Sequence, residues 1–187
     1  MALGDRTGSV GGGAHAVGGF EGPVGAGGGL RASAARHALL PLRLFLGGTF
    51  LYAGIHKLTD PAFLSGDGPG SLAQVLDGAG QSAALPALVE LAQTGPTGFG
   101  IALAAGEIAV GLGTLAGLLG RLAALGGLLI SLCLWLTVSW SSSPYYYGND
   151  LPYLMAWVPL LLAGTPSHSL DAAFALRRRR RGRQIFG

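Results

Sequence analysis

Charge is what this sequence has least of. Only 11% of its 187 residues are Asp, Glu, Lys or Arg, against roughly a quarter in an ordinary soluble domain, while 50% are hydrophobic. A soluble domain could not cover its surface with so few charges, so composition points to a polytopic membrane protein. Cysteine is nearly missing as well. Cys133 stands alone inside an apolar run, which excludes an intrachain disulfide and any cysteine-based cluster or metal site built from one chain, and leaves the redox compartment unread. Residues 1–30 have few large apolar side chains and hold twelve glycines. Such a stretch cannot bury enough surface to offset chain entropy and is expected to be disordered. It has no apolar central run, so it is not a signal peptide. Its GGG is followed by neither a strand–helix pair nor GKS/GKT, so phosphate binding is not expected.

Long apolar runs are what the sequence does have. Ala38–His56, ALLPLRLFLGGTFLYAGIH, is broken only by Arg43, and its 19 residues can cross a hydrocarbon core of about 30 Å. Lys57 and Asp60-Pro61 end it. Phe99–Leu119 is the second run and Leu122–Trp140 the third, joined by Gly120-Arg121. Leu151–Gly164 is a shorter fourth, roughly 21 Å at helical rise, with Pro159 placed to bend it. Between the first and second runs, residues 61–97 are rich in Gly and Pro and carry two short helical pieces, Ser71–Asp77 and Leu85–Gln93. Neither can span. They read as an external lid or interfacial segment, or as a plain long loop. The expected fold is therefore all-α: a four-helix transmembrane bundle with an external helical loop between helices 1 and 2.

Orientation follows from the basic residues. Four spans put both termini on one side with Arg6, Arg31, Arg36, Arg121, Arg177–Arg181 and Arg183, and leave Lys57, Asp60, Asp67, Asp77, Glu90 and Asp150 on the other. The positive-inside rule then makes both termini cytoplasmic. Trp140, Tyr145–Tyr147 and Tyr153 form an aromatic belt at the outer interface.

Within the spans, two features stand out. Small residues recur every fourth position at Ala105, Ala109, Gly113 and Gly117 in the second run and at Ala123, Gly127 and Ser131 in the third, spacing that permits close helix approach in lipid. In the first run Arg43, Gly47, Gly54 and Lys57 fall near one helical face, which is expected to point inward. Glu107 lies near the middle of the second run, where a charge costs at least about 2.5 kcal/mol. Arg43, the one basic residue inside a span, is the expected partner. The alternative is a neutral Glu107 hydrogen-bonded to Tyr52, Thr114 or a ligand oxygen. The pair reads either as a structural lock or as a site handling a proton or polar head group.

Several of these segments together resemble the DoxX/DoxD family of membrane proteins. RLFLGGTFLYAGIHKLTDP is similar to the family's first helix, and GEIAVGLGTLAGLLGRLAAL to its second helix and following turn. WSSSPYYYGND with a tyrosine in the last helix is similar to DoxD-type members, and Gly164–Asp171 fits the closing G-x-x-x-x-SLD. The resemblance spans residues 36–172, leaving 1–35 as a glycine-rich head and 173–187 as an arginine-rich cytoplasmic tail. It implies a four-helix membrane bundle. It further implies the membrane subunit of a thiosulfate:quinone oxidoreductase, which oxidises thiosulfate to tetrathionate, passes electrons to quinone and works with a DoxA-like or other oxidoreductase subunit. The chain has no room for a DoxA-like domain after residue 172.

The candidate site follows from this. Glu107 and Arg43 would manage the proton. His56, Lys57, Trp140, Tyr147 and Asp150 would line an outer pocket for a quinone head group, with Lys57 able to attract an anion, or would serve only as interfacial anchors. Haem is not expected, because His37 and His56 lie about 28 Å apart by helical rise, His15 falls in the glycine-rich head and His168 on the cytoplasmic side, so one chain cannot place two histidines across a single haem. No metal is expected. The arginine run is expected to anchor topology or contact lipid head groups, and nucleic-acid binding is not expected because no fold or stacking set accompanies it. Cys133 reads as a small buried apolar residue. The lipid bilayer and a homo-oligomer are the remaining expected partners. A different class stays open: a non-catalytic membrane scaffold that recruits a soluble oxidoreductase or stress enzyme. A small transporter is disfavoured by the lack of an inverted repeat.

Overall fold

A computed structural model describes residues 37–164. The glycine-rich head, the arginine tail and most of the Gly164–Asp171 motif lie outside the described residues. Within them the chain is helical, with no strand: α1 Leu40–Thr59, α2 Leu72–Gly80, α3 Pro86–Gln93, α4 Pro96–Ala116, α5 Gly120–Thr137 and α6 Asp150–Ala163, with a 3-10 turn at Tyr145–Tyr147.

Local chemistry sets the boundaries. Pro41, Pro86 and Pro96 stand in the first turns of α1, α3 and α4, where a missing N–H costs nothing. The Ser71 side chain caps α2 by accepting from the Gln74 N–H at 3.1 Å. α4 stops at Gly117, whose φ of 64° only glycine adopts freely. The Leu118 N–H then reaches back to the Gly113 carbonyl at 3.0 Å, closing a Schellman turn. α6 continues through Pro159 and ends at Gly164, φ 71°.

α4 and α5, of 21 and 18 residues, are long and apolar enough to cross a membrane. α1 has the length, at 20 residues, but carries Arg43 and Lys57, and α6 has only 14 residues. The four longer helices pack side by side, α1 on α4 and α5 on α6, with α4–α5 and α1–α6 contacts between the pairs. Leu46, Phe50, Val110, Ala124, Trp157 and Leu160 form the main core. Phe50 meets the Trp157 ring edge to face at 4.9 Å, an arrangement worth about 1 kcal/mol beyond its buried area. The two short pieces are real helices. α2 and α3 share a small core of Leu72, Leu76, Val89 and Ala92 and lie against α4 and α5. The Ala84 and Leu85 N–H groups also donate to the Leu136 carbonyl at the outgoing end of α5.

The α1–α4 contact is backbone against backbone. A Cβ on Gly54 would stand 2.6 Å from the Ala104 carbonyl oxygen, and one on Gly111 would stand 2.6 Å from the Leu51 nitrogen. The inward face of α1 is the expected one, with Arg43, Gly47 and Gly54 buried. The expected small-residue stripe on α4 is not the one that packs. Ala105 and Ala109 are exposed and Gly117 serves the turn, while the buried seam is Gly100, Ala104, Glu107, Gly111 and Thr114. A stripe that contains the glutamate must turn inward, because the carboxylate cannot face lipid unpaired. On α5 the expected Gly127 and Ser131 are buried, and the Trp157 ring lies over Gly127 in space a side chain would fill. Cys133, expected to be buried, is exposed.

Candidate functional site

Glu107 belongs to the buried seam of α4, and its side chain is only 4% exposed. Facing it is Lys57, two residues before the end of α1 and one turn beyond Gly54. Because the Gly54 contact brings the two backbones together, the lysine stem can fold back along the helix. Its Nζ donates to both carboxylate oxygens, at 2.9 Å to Oε1 and 2.8 Å to Oε2. The Lys57 side chain is 22% exposed, so the pair is closed on the glutamate side and open on the lysine side.

Arg43 does not pair with Glu107. It is buried, 5% exposed, and donates from Nε to the Thr114 carbonyl at 2.8 Å and from Nη2 to the Leu115 carbonyl at 2.7 Å. It therefore caps the C-terminal end of α4, where unsatisfied carbonyls and the negative end of the helix dipole favour a cation. The register explains the exchange of partners. Gly47 packs beside Gly111, so Arg43, one turn earlier, meets the end of α4, about two turns from Glu107. The two alternative partners for Glu107 are also elsewhere. Tyr52 is 70% exposed and tilts against His56, with ring centroids 5.9 Å apart. The Thr114 hydroxyl is buried with no hydrogen bond among the described residues.

Asp150 is the third charge of the cluster. It stands at the start of α6, ahead of the apolar run Leu151–Gly164, and its charge interacts with both Lys57 and Glu107. Ser139, just past α5, donates its hydroxyl to Asp150 Oδ2. Burial pushes the Asp150 carboxyl above the ordinary aspartate range; the Ser139 hydrogen bond and the Lys57 charge pull the other way and are smaller. Ser139 is the site residue that sequence reasoning missed. The sequence reading placed it inside the third apolar run, beside the serine-rich connection, with nothing to single it out from Ser141, Ser142 or Ser143.

The other expected members of the outer pocket lie on the surface. His56 is exposed. Trp140 is 46% exposed and packs edge-on against Trp135, and Tyr147 is 70% exposed and packs edge-on against Tyr146. The structure thus joins Lys57 to Glu107 and Ser139 to Asp150. It leaves His56, Trp140 and Tyr147 as surface aromatics, the placement expected of interfacial anchors. Among the described residues there is no group of three or more metal-ligating side chains.

Two apolar helices long enough to cross a membrane, one of them carrying a buried carboxylate matched by a lysine, agree with the family match in pointing to a helical membrane protein in contact with the bilayer. The chain belongs to the DoxX family, whose model matches residues 38–140. That span takes in α1 to α5, the Lys57–Glu107 pair, Arg43 and Ser139, and stops short of Asp150 and α6. No curated protein matches the chain, and no solved structure does.

Proposed function

We propose that the chain is the membrane subunit of a quinone-linked oxidoreductase acting on a sulfur compound such as thiosulfate. In this reading α1, α4, α5 and α6 all span the bilayer, both termini are cytoplasmic, and residues 36–172 form the membrane unit with α2 and α3 as an outer lid. The observation that carries it is the Lys57–Glu107 pair: a buried carboxylate between apolar helices, joined to the outer surface by a part-exposed lysine. Intramembrane carboxylates of this kind mark proton pathways, and quinone reduction consumes two protons with its two electrons. Arg43 supports the site indirectly by fixing the end of α4.

The charges also divide the labour. Lys57 is already committed to Glu107, so the pair offers an incoming anion no net positive charge. Thiosulfate would be oxidised on a DoxA-like or other redox partner, and this chain would serve the uncharged quinone. The test is purification in lipid with extraction of bound quinone, followed by the Glu107→Gln variant. Bound quinone in the wild type, with loss of quinone reduction by the partner complex in the variant, is the expected result. No bound quinone, together with a variant that behaves as wild type, would overturn the proposal.

A second reading is favoured by the closure of the same pair. Both Glu107 oxygens are occupied, as in a lock that fixes helix register. The chain would then be a membrane scaffold that recruits a soluble oxidoreductase. An intact partner complex that survives Glu107→Gln and contains no quinone would select it.

A further inference from the structure

The helices α2 and α3 do not seal against the two apolar helices beneath them. A narrow, partly enclosed slot of about 40 Å³ is left between. Leu76, Leu88 and Val89 form its wall on the α2–α3 side, and Phe99 and Leu103 of α4 with Leu134 of α5 form the other. The lining offers a ligand almost no polarity. Its hydroxyl, on Thr137, is spent on the Cys133 carbonyl of its own helix at 2.7 Å, and no charged residue lines it. Cys133 lines the slot and is exposed, so the slot opens at that residue, on a helix long and apolar enough to cross a membrane. On α4, Leu103 stands one turn before Glu107 and only about 40° from it around the helix axis.

A ligand of this slot must be apolar and thin. Water finds no partners on such walls, and a benzene-sized ring needs a cavity nearer about 150 Å³. The end of a hydrocarbon chain fits, with the rest of its length leaving through the mouth at Cys133. We propose that the slot takes the prenyl tail of a quinone, entering from the bilayer beside Cys133. The choice of a quinone's tail rests on the quinone reading above. A phospholipid acyl chain would bring a charged head group to a slot lined by no charge. A chain that leaves lipid for an apolar slot gains packing rather than hydrophobic free energy, so the slot orients more than it binds. It fixes one end of the molecule about a turn of α4 from Glu107, and α2 and α3 serve as the second wall that a single span cannot supply.

The chain's single cysteine is the reporter. The full chain is placed in phosphatidylcholine vesicles, and the rate of Cys133 modification by N-ethylmaleimide is measured with three additions. These are ubiquinone, whose fully substituted ring does not add thiols, a tail-less analogue with the same ring, and a prenol with the same tail and no ring. Ubiquinone and the prenol are expected to slow the reaction several-fold and saturably, and the tail-less ring to leave it unchanged. Protection by the tail-less ring, or none by either tailed compound, would overturn the proposal. So would a rate that falls on passing from detergent into vesicles and then ignores ubiquinone, since acyl chains would then fill the slot. Leu88→Phe fills the slot from a partly exposed position on α3 and should abolish the protection; protection that survives it places the tail elsewhere. The prenol separates this proposal from the quinone reading. Prenol protection in a chain from which no quinone can be extracted would end that reading and leave the prenyl slot standing, while extracted quinone without protection by either tail would do the reverse.

Discussion

Lys57 and Glu107 share one ion pair but not one environment: the lysine side chain is 22% exposed and the carboxylate 4%. The two ends of the pair should therefore respond differently to mutation. Lys57→Met leaves a carboxylate buried between α1 and α4 with no counter-charge. The expected loss is about 3 kcal/mol, the lower end of the range for breaking a buried pair. Glu107→Gln leaves an ammonium that can swing outward to water and an amide that can still accept from it, for a loss of about 1 kcal/mol. Thermal unfolding of the two variants in one detergent measures the difference. Equal losses would mean that the pair is not asymmetrically buried. The double variant should be more stable than Lys57→Met alone, because it removes the uncompensated charge.

The partner of Glu107 was the part of the site least legible in the sequence. Depth along each helix suggested Arg43, since it alone lies inside a span. Pairing depends instead on the register between α1 and α4, which is set by where their backbones touch. The glycines that set it were visible as a face of α1, but their counterparts on α4 were assigned to the wrong stripe. Following the stripe that contains Glu107, through Gly100, Ala104 and Gly111, would have placed Glu107 within reach of the C-terminal end of α1. The helices themselves were legible because each has strong local signals: prolines in first turns, Gly117 after α4, Ser71 before α2. Asp150 was legible as a polar residue just ahead of the fourth apolar run. Its hold by Ser139 was not, because it depends on how a ten-residue connection folds.

Arg43 should matter for stability and little for ligand binding. Its guanidinium serves two carbonyls at the end of α4, a forked geometry a lysine ammonium cannot copy. Arg43→Lys is expected to cost about 1 kcal/mol and Arg43→Met about 2 kcal/mol or more, from the lost hydrogen bonds and the lost charge at the helix terminus. Quinone content per folded protein should be unchanged in both. A stable Arg43→Met variant that has lost its quinone would place Arg43 in the binding machinery instead.

The α1–α4 contact should tolerate no methyl group at its centre. Gly111→Ala drives a Cβ into the backbone of Leu51, and Gly54→Ala drives one into the Ala104 carbonyl. Neither backbone can yield without separating the helices and lengthening the Lys57–Glu107 bond. Each substitution should cost about 1–3 kcal/mol, the usual range for overpacking. Gly48 is the internal control: on the same helix, a Cβ there meets nothing within 4 Å. Gly48→Ala should be neutral or slightly stabilising, since alanine is the better helix former. If all three variants melt together, helix propensity rather than close approach governs α1.

Topology can be read from two positions in cells. In the proposed orientation the connection after α5 faces outward and the Gly117–Gly120 turn faces the cytoplasm. Cys133 would be replaced by Ala first, so that any labelling reports only the introduced cysteine. Ser141→Cys, on an exposed residue, should then react with a membrane-impermeant maleimide in intact cells. Leu119→Cys, also exposed, should react only after the membrane is opened. Leu119 has a positive φ of 50°, and neither leucine nor cysteine is at ease there, so the exchange adds little strain. The reverse labelling pattern would invert the molecule and move Lys57 and Asp150 to the cytoplasmic side. It would also place Arg121 outside, against the usual bias of arginine for the inner face. Protons for the site would then be drawn from the cytoplasm.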